Sequence, residues 1–404
     1  MASTLLAVAG VIVVASAASK GFTGKPVIAG YWPSYASDLL RPEAIQYHQF
    51  THIDWFVAET TPTYELDFGG NEDLIKPVIE RAHRANVTVS LSIGGWTGSR
   101  YFSDLVANAS GRAQYARSIA GYLQKYGFDG ADIDWESPAV QTIGCNTVRP
   151  HDSDNLLGFL KDLRAYAPNA RLSAAVGVTG IAGPNGETYE RINRLAVYLD
   201  YIVRISGALA VKLYTENGFP AEKILLGVPS YAYPYVTASS TLVPRTSGNS
   251  SSLAYQSRTQ DVPEGGATSA GPGTDPCGVE TGPAPMWLFR ELVETGRISG
   301  NTTVGGNGFT RYFDECSRTP FLFNPTTRDF IAYDDPQSYG AKAAFARQHG
   351  LAGVNMFDLT GDTQDSKLIH AVRAQLVGES AAQQAGLTAF TRFLLAGHKS
   401  VNPA

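Results

Sequence analysis

Asp129-Gly130-Ala131-Asp132-Ile133-Asp134-Trp135-Glu136 is the stretch on which the reading of this chain turns. Three acids stand two residues apart inside an otherwise apolar run that opens at Phe128 and closes at Trp135. Alternate residues of a β-strand point to the same side. As a strand, the run puts Asp132, Asp134 and Glu136 in one row of carboxylates. Like charges at close range raise one another's pKa, so three crowded carboxylates cannot all stay ionised at neutral pH. Such crowding keeps an acid protonated for general-acid work. The competing reading is a solvated acidic turn, but alternating charge beside Phe, Ile and Trp fits a partly buried strand better.

Outward from this strand, apolar, β-branched runs alternate with helical patterns. Candidate strands are Val27 to Tyr31, His52 to Val57, Val87 to Ile93, Gly130 to Trp135, Leu172 to Val178, Leu199 to Ile205, Ile224 to Val228 and Ala352 to Phe357. Helical patterns include Asn71 to Arg84, Arg112 to Tyr126, Ser153 to Tyr166 and Glu187 to Leu195. Eight strands with helical connections predict an α/β fold, a closed (β/α)8 TIM barrel rather than an open sheet. Catalytic residues of such barrels come from the C-terminal ends of strands, where Glu136 falls. Between strands seven and eight, residues 234 to about 335 break the pattern with Ser/Gly/Pro-rich stretches. They also hold a helical patch, Met286 to Glu294, and β-like runs at Tyr312 to Asp314 and Phe330 to Tyr333. This is too long for a plain loop and predicts an inserted α+β lobe. The competing reading is a glycosylated loop without structure. The barrel is expected over 26–375, and the Ala/Gln/Ser-rich tail, 376–404, carries one candidate helix at Leu387 to Leu395.

Residues 1–17 read as a secretory signal peptide: Leu5 to Ala15 is apolar, and Ala15-Ser16-Ala17 offers small residues for cleavage. The n-region lacks Lys and Arg, but the apolar run is too short for a membrane anchor. An extracellular protein follows, one in which disulfides can form. There are three cysteines, Cys145, Cys277 and Cys316; the latter two flank one segment that they could close. Asn-x-Ser/Thr triplets fall at Asn86, Asn108, Asn249 and Asn301, of which Asn249 and Asn301 sit in polar surroundings suited to glycans. A formal net charge of -5 and the lack of a basic patch argue against nucleic acid or anionic membrane as partners. The seven His show no metal-ligand spacing, Gly94-Gly95 lacks the rest of a phosphate loop, and Ser92 has no local His or Asp partner. No metal and no cofactor are expected, and the chain is read as a monomer.

The acidic octapeptide resembles the signature of glycoside hydrolase family 18, the chitinase family. Ser90-Leu91-Ser92-Ile93-Gly94-Gly95-Trp96 resembles the family's second signature at the end of barrel strand three, and Val27 to Trp32 its first strand. Ile143-Gly144-Cys145-Asn146 and Leu225 to Tyr231 resemble fungal members. The resemblance implies a retaining, substrate-assisted hydrolase of β-1,4-linked N-acetylglucosamine polymers, chitin or its oligosaccharides. It implies Glu136 as acid and then base, Asp134 as holder of the acetamido N–H, and Asp132 as the deeper group that keeps Asp134 correctly protonated. Tyr31, Trp96 and Tyr231 are candidate cleft residues from their places at strand ends, with core packing as the alternative for each. The resemblance also supports a Cys277–Cys316 disulfide, which leaves Cys145 over.

Two departures from the family pattern stand out. Members carry Met-x-Tyr-Asp at the end of strand six, where the Tyr hydroxyl steadies the acetamido oxygen. Here the chain reads Val203-Arg204-Ile205-Ser206-Gly207-Ala208, without a Tyr-Asp pair. One deletion near Val203 or Arg204, in a truncated gene model or splice form, would account for this and for a leftover Cys145. Arg204 then becomes a candidate for an unpartnered charge inside the barrel. At strand eight a Trp floors the sugar site in the family; Met356-Phe357-Asp358 occupies the spot here, so Phe357 has to serve. The alternatives to a chitinase are a catalytically impaired chitin-binding lectin and an endo-N-acetylglucosaminidase acting on N-glycans.

Overall fold

The computed structural model describes residues 24–142, 145–177, 180–205, 207–247 and 250–378. The signal segment, the Asn249 triplet and the tail helix lie outside them, as does the side chain of Arg204. Eight strands form the barrel: β1 (Val27–Pro33), β2 (His52–Thr60), β3 (Thr88–Gly94), β4 (Gly130–Asp134), β5 (Arg171–Val176), β6 (Tyr201–Ile205), β7 (Ile224–Pro229) and β8 (Gly353–Phe357). Each pairs in parallel with the next, from β1 with β2 round to β7 with β8. The β8–β1 pairing closes the ring. Parallel strands covered on both faces have no polar side to show, which is why β1 is buried along its whole length.

The helices between strands are set by local chemistry. Helix Ala109–Tyr126 starts where the Asn108 side chain accepts from the Gly111 N–H, and it ends on Gly127 at φ 82°. Helix Pro336–Gln348 starts on Asp335, whose side chain accepts from the N–H groups of Gln337 and Ser338. The helix expected over Glu187 to Leu195 shrinks to Ile192–Leu195. The cause is a turn in which the Gly183 N–H bonds the Glu187 carbonyl and the Tyr189 N–H bonds that of Ile181.

The insertion is an ordered α+β lobe. Strand Tyr231–Val236 leaves β7 after one residue and pairs with Trp287–Leu288 on one side and Asp329–Ala332 on the other. Thr319–Phe323 and Thr310–Asp314 complete a five-stranded antiparallel sheet. Phe321 and Phe330 stack at 4.6 Å, and Tyr235 stacks on Phe330 at the same distance, giving the lobe its own apolar centre. Its helix is Phe289–Glu294; of the residues expected to open it, Met286 lies outside any element and Trp287 and Leu288 belong to the sheet.

Two expectations are overturned here. The disulfide is Cys145–Cys277, not Cys277–Cys316. The loop after β4 carries Cys145 to the tip of an exposed hairpin, Gly273–Thr274 with Glu280–Thr281, whose turn holds Cys277. Cys316 is exposed in the turn between Asp314 and Thr319 and is a free thiol. With Cys145 paired, the leftover cysteine no longer argues for a deleted segment. The short β6 still closes the barrel, with Val203 between Ala175 of β5 and Leu225 of β7.

Candidate active site

The acidic row follows from β4 being a strand. Asp132 is fully buried and Asp134 nearly so, while Glu136 lies past the strand's end and is half-buried. Three hydroxyls converge on Asp132: Ser92 donates to its Oδ2 at 2.9 Å, Tyr31 to the same oxygen at 3.0 Å, and Ser173 to Oδ1 at 2.7 Å. They come from β3, β1 and β5, so barrel closure assembles this cradle. The backbone carrying Glu136 is fixed separately. Its N–H donates to Ser99 Oγ at 2.9 Å, and its carbonyl accepts from Thr142 Oγ1 at 2.5 Å and Asn146 Nδ2 at 3.2 Å. Ser99 Oγ in turn reaches the Asp134 carbonyl at 3.0 Å. Gly94 lies against the same carbonyl: at φ 112°, a Cβ there would stand 2.2 Å from it. The Gly-Gly of the sequence is therefore a packing requirement beside the acids.

Burial is the largest influence on all three acids. It pushes Asp132 up to about 7, with the Asp54 charge adding and the three hydroxyls opposing. It holds Asp134 well above the usual carboxylate range, helped by Glu136, Asp132 and Asp54. Burial also raises Glu136. The row thus retains protons at a pH where ordinary carboxylates have lost them.

Above the row is a cleft of about 730 Å³ whose lining includes Asp134, Glu136, Tyr31, Trp96, Tyr231 and Phe357. All four aromatics expected at the cleft are therefore brought to it. Their situations differ. Tyr31 is nearly buried and its hydroxyl is spent on Asp132. Phe357 packs edge-on to Phe56 at 5.3 Å and lies 5.3 Å from Tyr31. Trp96, at 58% exposure, stands free at the rim, as a stacking platform must. Burial pushes the Tyr231 hydroxyl up to about 12. Trp135, between the two upper acids, turns away and stacks on Phe102 at 5.1 Å.

The sequence reading missed Ser173, Ser99, Asp54, Tyr35 and Tyr233. The last two are exposed aromatics on the cleft wall. Asp54 had a signal, an acid in the middle of the apolar run of β2, but no partner in sequence to give it meaning.

A closed parallel barrel with a crowded, largely buried carboxyl row at the C-terminal end of β4, under an aromatic cleft, has the form of a glycoside-cleaving site. The family model for glycosyl hydrolases family 18 matches residues 27–362, and the chain belongs to that family. A chitinase-like effector of Moniliophthora roreri is 30% identical over 381 residues, 87% of this chain and 93% of that protein. Chitinase A1 of Niallia circulans is 27% identical over 78% of this chain and 46% of that protein. A crystal structure of a chitinase from Rhizomucor miehei superposes with a TM-score of 0.76 at 26% identity, covering 86% of this chain and 99% of that one.

Proposed function

We propose that this chain is a secreted chitinase that cleaves β-1,4-linked N-acetylglucosamine chains with Glu136 as acid and base. The observation that carries the reading is the half-buried Glu136 on the cleft wall, backed by two buried acids that hold protons. Glu136 protonates the glycosidic oxygen, and the substrate's own acetamido oxygen attacks the anomeric carbon, as substrate-assisted members of this class do. Asp134 accepts the acetamido N–H and orients that oxygen. Asp132, fixed by three hydroxyls, shares a proton with Asp134. Glu136 then takes a proton from the incoming water.

One observation favours a second reading, a chitin-binding protein without turnover. β6 ends at Ile205, with Gly207-Ala208 where the Tyr-Asp pair is expected. Loss of one donor to the developing charge costs about two to three orders of magnitude in rate. The experiment is hydrolysis of a fluorogenic N-acetylchitooligosaccharide by the wild type and by Glu136→Gln, with calorimetric binding of the unlabelled oligosaccharide to both. Turnover that falls at least about a hundredfold in the variant while binding persists supports the hydrolase. Binding without turnover in the wild type supports the second reading, and absence of both overturns the two together.

A further inference from the structure

A fourth carboxylate lies beneath the acidic row. Asp54 is the third residue of β2 and almost wholly buried. In the barrel register it is level with Tyr31 on one side and Ser90 on the other. Ser90 is level with Gly130, and Ser92, two residues on, is level with Asp132. Asp54 therefore occupies the layer directly below Asp132. The residue of β4 that shares that layer, and faces inward like Asp132, is Gly130. It carries no side chain in that layer, where a Cβ would stand 2.0 Å from the Arg171 carbonyl and 2.7 Å from Ser90 Oγ.

A chain of hydrogen-bond donors runs into Asp54. Arg171 Nη1 donates to Thr88 Oγ1 at 3.1 Å. The Thr88 hydroxyl faces two acceptors, the Thr51 carbonyl at 3.4 Å and His52 Nδ1 at 2.7 Å; the shorter contact is the one in O–H donor range, and a proton given there leaves the imidazole proton on Nε2. His52 Nε2 then donates to Asp54 Oδ1 at 3.0 Å, and Asn355 Nδ2, from β8, donates to Oδ2 at 2.9 Å. Both oxygens of Asp54 are acceptors, the arrangement a carboxylate requires. Burial lowers the His52 pKa, so His52 brings a hydrogen bond to Asp54 without a compensating positive charge.

Among the described side chains, which do not include that of Arg204, none places a cation in direct contact with Asp54; the nearest is Arg171, which reaches it only through Thr88 and His52. Among the described residues, β1 presents Tyr31, β4 presents Asp132 and Asp134 with Glu136 beyond, and β8 presents only the neutral Asn355. β3 presents Ser90 and Ser92, and β7 has no titratable residue. Arg171 of β5 sits at the base, over the Tyr201 ring of β6 at 4.7 Å, and with Asp129 acts on His52.

We propose that Asp54, held by His52 and Asn355, is a positioning residue whose negative charge keeps the proton shared by Asp132 and Asp134 on that pair, and so sets the upper pH limit of the site. This rests on the hydrolase reading for its effect on rate, but not for its effect on the acids themselves. The Asp54 charge acts to raise both Asp132 and Asp134. With the charge removed, the pair gives up its proton at lower pH.

The test compares the wild type, Asp54→Asn and the exchange variant Asp54→Asn/Asn355→Asp, which returns one carboxylate to the same layer. Two readouts are taken: infrared titration of protonated Asp carboxyl groups, with Asp isotopically labelled, and the pH dependence of kcat/KM. In Asp54→Asn the protonated-carboxyl band and the basic limb of kcat/KM should both move down by about one pH unit or more. The exchange variant should move them back towards the wild type. An unmoved band in a folded Asp54→Asn protein overturns the proposal, as does an exchange variant that stays with the single variant. If no form turns over substrate, the hydrolase reading fails by itself and the infrared titration still decides the role of Asp54.

Discussion

Phe357 ends β8 among Tyr31, Phe56 and Tyr231, three rings that already fill the space beside it. As the floor of a sugar site it offers less face than an indole and no N–H. Phe357→Trp is expected to tighten binding of short chitin oligomers by roughly two- to tenfold, the worth of one improved aromatic contact. Equal dissociation constants for the two proteins by calorimetry would remove Phe357 as a floor residue. At this scale the sequence was partly legible. Glu136, Asp134 and Asp132 could be read because strand alternation is local, two residues per repeat. Ser92, Ser173 and Tyr31 meet at Asp132 only through closure of β1, β3, β4 and β5, and no single window contains that. Asp54 was opaque for the same reason, since Asn355 lies 301 residues away.

At the scale of elements, the eight strands announced themselves as largely apolar runs because a parallel barrel covers both of their faces. The insertion strands Tyr231–Val236 and Thr319–Phe323 did not, since Pro234 and Pro320 break the usual strand signal. The cysteine pairing also escaped the sequence, because proximity along the chain says little about a bridge across 132 residues. The hairpin carrying Cys277 is exposed on both strands and buries little of its own. Its attachment to the barrel depends on the bridge. Native protein is expected to take up one equivalent of a thiol reagent, at Cys316, read by mass spectrometry of its peptides. Cys277→Ser should lower stability by about 2–5 kcal/mol, read from denaturant unfolding, and should expose Cys145 to the reagent. Labelling of Cys145 in the untreated protein would contradict the pairing.

For the whole molecule, the buried acids set how stability responds to pH. Burial holds Asp132 up to about 7 and Asp362 up to about 6, and raises Asp134, Asp152, Asp335 and Asp358. In the unfolded chain such groups ionise near pH 4. Between those values the folded state binds more protons than the unfolded one, so stability falls as pH rises. Asp314 and Asp365 are lowered and act in the opposite sense, but only as pH drops below the ordinary carboxylate range; His52, lowered by burial, also opposes the acids below about pH 6.5, one group against six. The melting temperature is therefore expected to be highest in mild acid and to decline towards pH 7, with a shallower decline in Asp134→Asn. A melting temperature that climbs steadily from pH 4 to pH 7 would show that these acids do not keep their protons in the folded protein.

The Cys145–Cys277 bridge also turns the chain between those residues into a covalent ring that holds β5, β6, β7 and the first strand of the lobe. The largely exposed run from Ala238 to Thr246 lies inside that ring. A protease that cuts there adds one water to the molecule and releases nothing. The nicked chain stays in one piece until a reductant opens the ring, so a single scission there need not end the protein's working life.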